Sequence, residues 1–215
     1  MGASTRLKDS VQHTYDGLAV RLEDARQMCS RHESSRRGCP PIDLFCCGVS
    51  QHLHAVDEVL LPRAPRPEVH AEQVAAHRLE VELAHVKAHE FGSTYEQSFP
   101  WPRIWDDVAE AMRAQQEAEG RLVDLLTESL PDEELDRLAT RMAQAEPREP
   151  TRPHPYVPHR GLAGRLARRA MRLADGFWDA VEGRYVPERP RRARKAPGLI
   201  GQYLLADPRF EEKDG

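Results

Sequence analysis

At 215 residues, with 40% hydrophobic and 31% charged side chains and a mean hydropathy of −0.68, the chain can hold one good-sized domain with appendages but is lean in core-forming residues. Aromatic residues make up only 6%, β-branched runs are scarce, and no apolar run approaches the roughly 20 residues a bilayer-spanning helix needs, so a large sheet and a membrane span are both excluded. The net charge of −4 is unevenly spread: residues 146–215 carry 15 Lys/Arg against 10 Asp/Glu, so an acidic body bears a basic tail, which excludes a dedicated, strongly basic nucleic-acid binder.

The opening "MGASTRLKDSVQHTYDG" has no apolar signal core, which sets the expectation of a cytoplasmic protein. A first helix is expected over 4–30. Val11, Tyr15, Leu18 and Leu22 form its inward stripe, and His13 turns away from it. Tyr15 is the one polar group centred on that face, and a buried hydroxyl there needs a partner such as Glu119. "SRHESSRRGCPP" then breaks the pattern with Ser, Gly and two prolines. Cys29, Cys39, Cys46 and Cys47 all fall in the first quarter and, without an export signal, are expected as reduced thiols. Cys29 and Cys39 flank His32, but the spacings are irregular and there is no Cys-x-x-Cys, which speaks against zinc.

A second helix is expected over 43–61, closed by Pro62. Its segment "QHLHAVDEVLLP" holds His54 and Glu58 at the spacing that puts two ligands on one helix face. The apolar stripe decides their orientation. With Val49, Leu53, Val56 and Leu60 inward, His52 and Asp57 lie about 70° to either side and reach the interior. His54 and Glu58 lie on the far side, towards solvent.

The third helix, expected over 68–91, carries His70, His77, His85 and His89. Ala76, Leu79, Leu83 and Val86 form one apolar stripe. Val74, Val81, Ala84 and Ala88 form a second on the opposite side, with His70 and His77 along it, so contacts are expected on both sides. His85 and His89 have ligand spacing but sit off both stripes. The fourth helix, over 103–129, points Trp105, Val108, Met112, Val123, Leu126 and Leu130 inward, and Glu119 sits amid that stripe beside Gln115 and Gln116. A carboxylate buried there costs several kcal/mol unless paired, and His52 is a candidate partner. A shorter fifth helix follows Pro131, with acidic residues in its first turn.

Residues 1–145 therefore predict an all-α, up-down-up-down four-helix bundle. Residues 146–161 read as a proline-rich strap and 162–186 as a basic amphipathic helix. Leu162, Leu166, Leu173, Phe177 and Val181 line one side of that helix and Arg165, Arg168 and Arg172 the other, and the apolar side is expected to pack on the bundle. Residues 187–215 form a charged tail.

In "HLHAVDEVLLP", His52 begins a run that ends ten residues later at Pro62, through Val59, Leu60 and Leu61. In "QQEAEGRLV", Gln115 and Glu119 stand four apart. Together with "RLEVELAHVKAHEFGSTYEQSFPWPRIW" and "PTRPHPYVPHRGLAGRLARRAMR", these segments resemble the actinobacterial branch of the hemerythrin-like (HHE cation-binding) family over most of the chain. The resemblance implies a four-helix bundle around non-haem iron, with oxygen, peroxide or nitric oxide as ligand. It places His52 and Glu119 as metal ligands, with Asp57 and His77 next. The departures from the family pattern are Val56 in a glutamate place, Gln115 in a histidine place and an outward His13.

Two readings of function follow. One is a hemerythrin-like protein with an altered iron site. The other is a metal-free helical interaction module that docks a protein partner or an anionic surface. The residues facing Glu119 discriminate between them: histidines favour metal, and Tyr or Arg favours a structural pair.

Overall fold

A computed structural model of the chain describes residues 2–29, 39–90 and 100–154, together with 170, 171, 174, 175, 179 and 186. The described residues are all-α, with no strand among them. Five helices follow in order: α1 (Ala3–Cys29), α2 (Pro40–Val59), α3 (Arg66–Glu90), α4 (Trp101–Ser129) and α5 (Asp132–Ala145). Short 3-10 turns at Leu61–Arg63 and Glu146–Arg148 follow α2 and α5.

Three helices begin two or three residues before the positions expected from sequence, and proline is the reason. Pro40 and Pro41 open α2, Pro67 is the second residue of α3, and Pro102 the second of α4. The first turn of a helix has no intrahelical use for its N–H groups, so proline belongs inside it rather than before it. At α5 the proline, Pro131, is the cap, and Asp132, Glu133 and Glu134 complement the helix dipole.

α1 packs against α2, α4 and α5, and α3 lies chiefly along α4. The core gathers Leu7, Val11, Tyr15, Leu18 and Leu22 from α1, and Val49, Leu53 and Val56 from α2. Leu79, Leu83 and Val86 come from α3, and Trp105, Val108, Met112, Val123 and Leu126 from α4. Apart from Leu7, these belong to the stripes read from sequence, of which Ala76 and Leu130 are only half-buried. Each fully buried Leu or Val of this set is worth about 1.5–3 kcal/mol.

At one end, Lys87 is bonded to Asp43 at 2.8 Å and to Glu90, and Glu90 accepts the backbone N–H of Cys39 at 2.5 Å. The C-terminus of α3 is thereby tied to the N-terminus of α2. Burial alone would lower the Lys87 ammonium's pKa, but Glu90 and Asp43 outweigh it and hold it raised. Beside them Trp101 stacks on Trp105, with His89 edge-on to Trp101 and Phe45 edge-on to Trp105.

The double-sided reading of α3 is corrected over its N-terminal half. Val74 is 56% exposed, and His70 and His77 are exposed too. Val81, Ala84 and Ala88 of the same stripe are half-buried, and Leu79, Leu83 and Val86 join the core. Of the sixth expected helix, residues 170, 171, 174, 175 and 179 are helical, and Met171, Asp175 and Asp179 are buried. They lie on the side opposite the expected inward stripe, whose residues fall outside the described ones, as do His32 and the tail 187–215. What covers the two aspartates is the strap: Asp175 accepts the backbone N–H groups of Thr151 and Arg152, and Asp179 accepts the Thr151 hydroxyl and Arg152 Nε.

Candidate functional site

The polar centre of the molecule is assembled from four helices and a turn. Glu119 of α4, 0% exposed, lies in an apolar stripe and receives two donors on one oxygen. Tyr15 of α1 donates its hydroxyl to Glu119 Oε2 at 2.8 Å, and His52 Nε2 of α2 lies 2.9 Å from the same oxygen. The other nitrogen of that ring, His52 Nδ1, lies 2.7 Å from Glu146 Oε1, in the 3-10 turn that follows α5. The Tyr15 and His52 rings meet edge to face, 5.3 Å between centroids. One turn before Glu119 on α4, buried Gln115 donates Nε2 to Glu72 Oε1 of α3 at 2.7 Å. Glu119 Oε1 and Gln115 Oε1 are buried without a protein donor.

The electrostatics follow from this arrangement. Burial would push the His52 pKa down, but the Glu119 charge and the bonds from Glu119 and Glu146 outweigh it and raise it to about 10. Burial raises Glu72 to about 8, with the charges of Glu119 and Asp57 adding to the rise while the Gln115 bond opposes it. The Tyr15 hydroxyl is pushed well above its ordinary value by burial and by Glu119.

A second polar group lies between α2 and α3. Leu53, His54, Asp57, Glu72, Gln73, Ala76, His77 and Glu80 line a cleft of about 30 Å³, room for about one water molecule. His54 Nε2 stands 3.7 Å from Glu80 Oε1. Burial raises Glu80 to about 7, although a backbone bond from His154 works against it. The His154 ring in turn bonds Asp175 at 3.0 Å and sits 6.5 Å, centroid to centroid, from that of His54.

Among the residues expected at the site, His52 and Glu119 come into direct contact. Asp57 is half-buried on the cleft wall, 3.3 Å from Gln73 Nε2, and His77 is exposed at the cleft's rim. Among the described residues, no three His, Cys, Asp or Glu side chains converge as a ligand set. The expected orientation of His54 is overturned: it is 1% exposed. The α2 face that the apolar stripe assigns to solvent is covered by Glu80 of α3 and His154 of the strap, and a stripe within one helix cannot report a cover that arrives a hundred residues later. Glu58, on the same side, is half-buried.

Sequence reasoning missed Glu72, Glu80, Glu146, His154 and Asp175. Glu72 had a signal: it stands seven residues before Leu79, on the stripe that continues through Leu83 and Val86 to buried Glu90. Helix α3 thus turns carboxylates inward where the sequence drew the eye to histidines.

The residues present do not supply the ligand set for non-haem iron that the resemblance implies, since of His52, Glu119, Asp57 and His77 only the first two come into contact. Among the described residues no set of three His, Cys, Asp or Glu side chains converges around His52. Val56 and Gln115 remove two further donors, and His77 lies outside. No family model, no curated protein and no solved structure matches this chain.

Proposed function

We propose that the chain is a metal-free, hemerythrin-like four-helix bundle with extra C-terminal helices, working as a helical interaction module that docks a protein partner. The observation that carries this reading is the thinned ligand set: Val56 and Gln115 stand where the family pattern has a glutamate and a histidine, and His77 is exposed. The adjoining cleft of about 30 Å³ supports it as well, because a chamber for a small-molecule substrate runs to about 300 Å³ or more. Buried Met171, Asp175 and Asp179, tied to the strap, favour a C-terminal segment packed on its own protein over one that lies on an anionic surface.

A second reading has one observation in its favour. Glu119 Oε1 and Gln115 Oε1, one turn apart on α4, are buried acceptors without a protein donor, and a single non-haem iron beside them would fill that need. It would take a diatomic or peroxide ligand.

Metal content decides between the readings. Full-length, tag-free protein, purified without chelator after growth with added iron, is analysed by mass spectrometry. The metal-free reading expects only trace metal in a fully helical protein. One or two irons per chain overturn it.

A further inference from the structure

The strap buries residues of its own without joining the apolar core. Glu149, Thr151, Asp175 and Asp179 are buried, yet among the described residues the connected core takes in nothing after Ala145. Met171, four residues before Asp175, is buried but stands outside it. What holds the segment is polar. Asp175 accepts the backbone N–H groups of Thr151 and Arg152 at 2.9 and 3.1 Å and lies 3.0 Å from His154 Nε2. Asp179, four residues on, takes the Thr151 hydroxyl and Arg152 Nε. In an open form water replaces each of these bonds, so their net contribution is small beside that of buried apolar surface.

Beneath the strap lies the α2–α3 cleft. The His154 backbone N–H bonds Glu80, the His154 ring sits 6.5 Å from that of His54, and both covered side chains line the cleft. His54 and Glu80 are polar, so uncovering them exposes little apolar area, and water hydrates both in exchange. We propose that the strap is a releasable cover: Asp175 and Asp179 clasp residues 151–154 over the cleft, and release opens it to solvent while the helices beneath stay folded. Local opening of this kind belongs to segments with few buried apolar contacts and hydrogen bonds that water can replace. The opened wall presents the His54 imidazole and the Glu80 carboxyl beside Asp57, Gln73 and His77, a face of hydrogen-bonding groups that the closed form seals. The cover goes beyond the docking reading and does not depend on it, nor on whether iron binds at Glu119.

The test is amide hydrogen exchange by NMR on the full-length protein at pH 7.5, with diethyl pyrocarbonate labelling of histidines followed on the same sample by mass spectrometry. Leu122 and Leu126, fully buried on α4, report opening of the core, and buried His52 is the reference for labelling. The Thr151 and Arg152 amides are expected to exchange at least tenfold faster than those of Leu122 and Leu126, and His54 to be labelled at least tenfold faster than His52. Asp175→Ala removes the acceptor of both strap amides and is expected to raise their exchange and the labelling of His54 together by tenfold or more, with Leu126 unchanged. Strap amides that exchange only as slowly as Leu126 overturn the proposal, because the strap then opens only with the whole fold. Fast strap exchange with His54 labelled no faster than His52 overturns it too, because the strap is then not what seals the cleft. Should Asp175→Ala unfold the core, the comparison within the natural chain decides alone.

Discussion

At the scale of single residues, Glu119 organises the centre. Two donors converge on its Oε2, and each can be judged by what its loss leaves behind. Tyr15→Phe keeps the ring that packs against His52 and deletes only the hydroxyl. A hydrogen bond to a charged group contributes about 1.5–3 kcal/mol, so the variant is expected to lose about 2 kcal/mol in urea denaturation, with the slope m unchanged. A loss below 0.5 kcal/mol would mean that Glu119 does not depend on Tyr15. Part of this centre was legible in advance. The stripe through Val11 and Leu18 turned Tyr15 inward, the stripe through Val108 and Leu126 did the same for Glu119, and an apolar surrounding demands that such groups pair. Glu146 was not legible, because its arrival at His52 depends on where α5 ends and the chain tightens into a 3-10 turn. His54 misled for a related reason: its cover comes from α3 and the strap, and a helical wheel holds no information about either.

At the scale of elements, α3 is the helix whose reading changed most. Its histidines drew attention, yet the groups it buries are Glu72, Glu80 and Glu90. Glu90 is satisfied by Lys87 and the Cys39 N–H, whereas burial holds Glu72 and Glu80 protonated well above the ordinary carboxylate range. The sign of the consequence follows from linkage. In the folded state Glu72 and Glu80 keep protons up to about pH 8 and 7, whereas in the unfolded chain they release them near 4.5. The stability from these two groups is therefore complete below about pH 4.5 and is lost as pH rises through 7 and 8. Glu72→Gln removes one of the two carboxyls and can keep a hydrogen bond to Gln115. The variant is expected to show a flatter stability profile between pH 5 and 8 in chemical denaturation, with its largest gain over the natural chain at pH 8. An unchanged profile would place the Glu72 carboxyl in contact with water.

At the scale of the molecule, five described helices bury an apolar core around one polar layer, and the strap returns to cover the α2–α3 side. The helix order and the inward faces of α1, α2 and α4 could be read from sequence because each rests on local periodicity. Which polar groups meet at the centre is set by how the helices pack, and no single helix reports it. The central claim is that His52 is paired with Glu119 and Glu146 at the centre of the core. Linkage gives that claim a whole-molecule signature, since a histidine folded with a pKa of about 10 and unfolded near 6.5 carries its proton into the fold and releases it on unfolding. Its stabilisation is complete below pH 6.5 and is lost as pH rises through 10. The measurement is the unfolding free energy of the full-length protein across pH 8.5–9.5, where a His52 proton largely kept in the folded state and absent from the unfolded one corresponds to a fall of about 1.2 kcal/mol per pH unit. That slope is the predicted result. A flat profile over the same range would mean that His52 enters the fold neutral, with a lone pair to give, and would contradict the account.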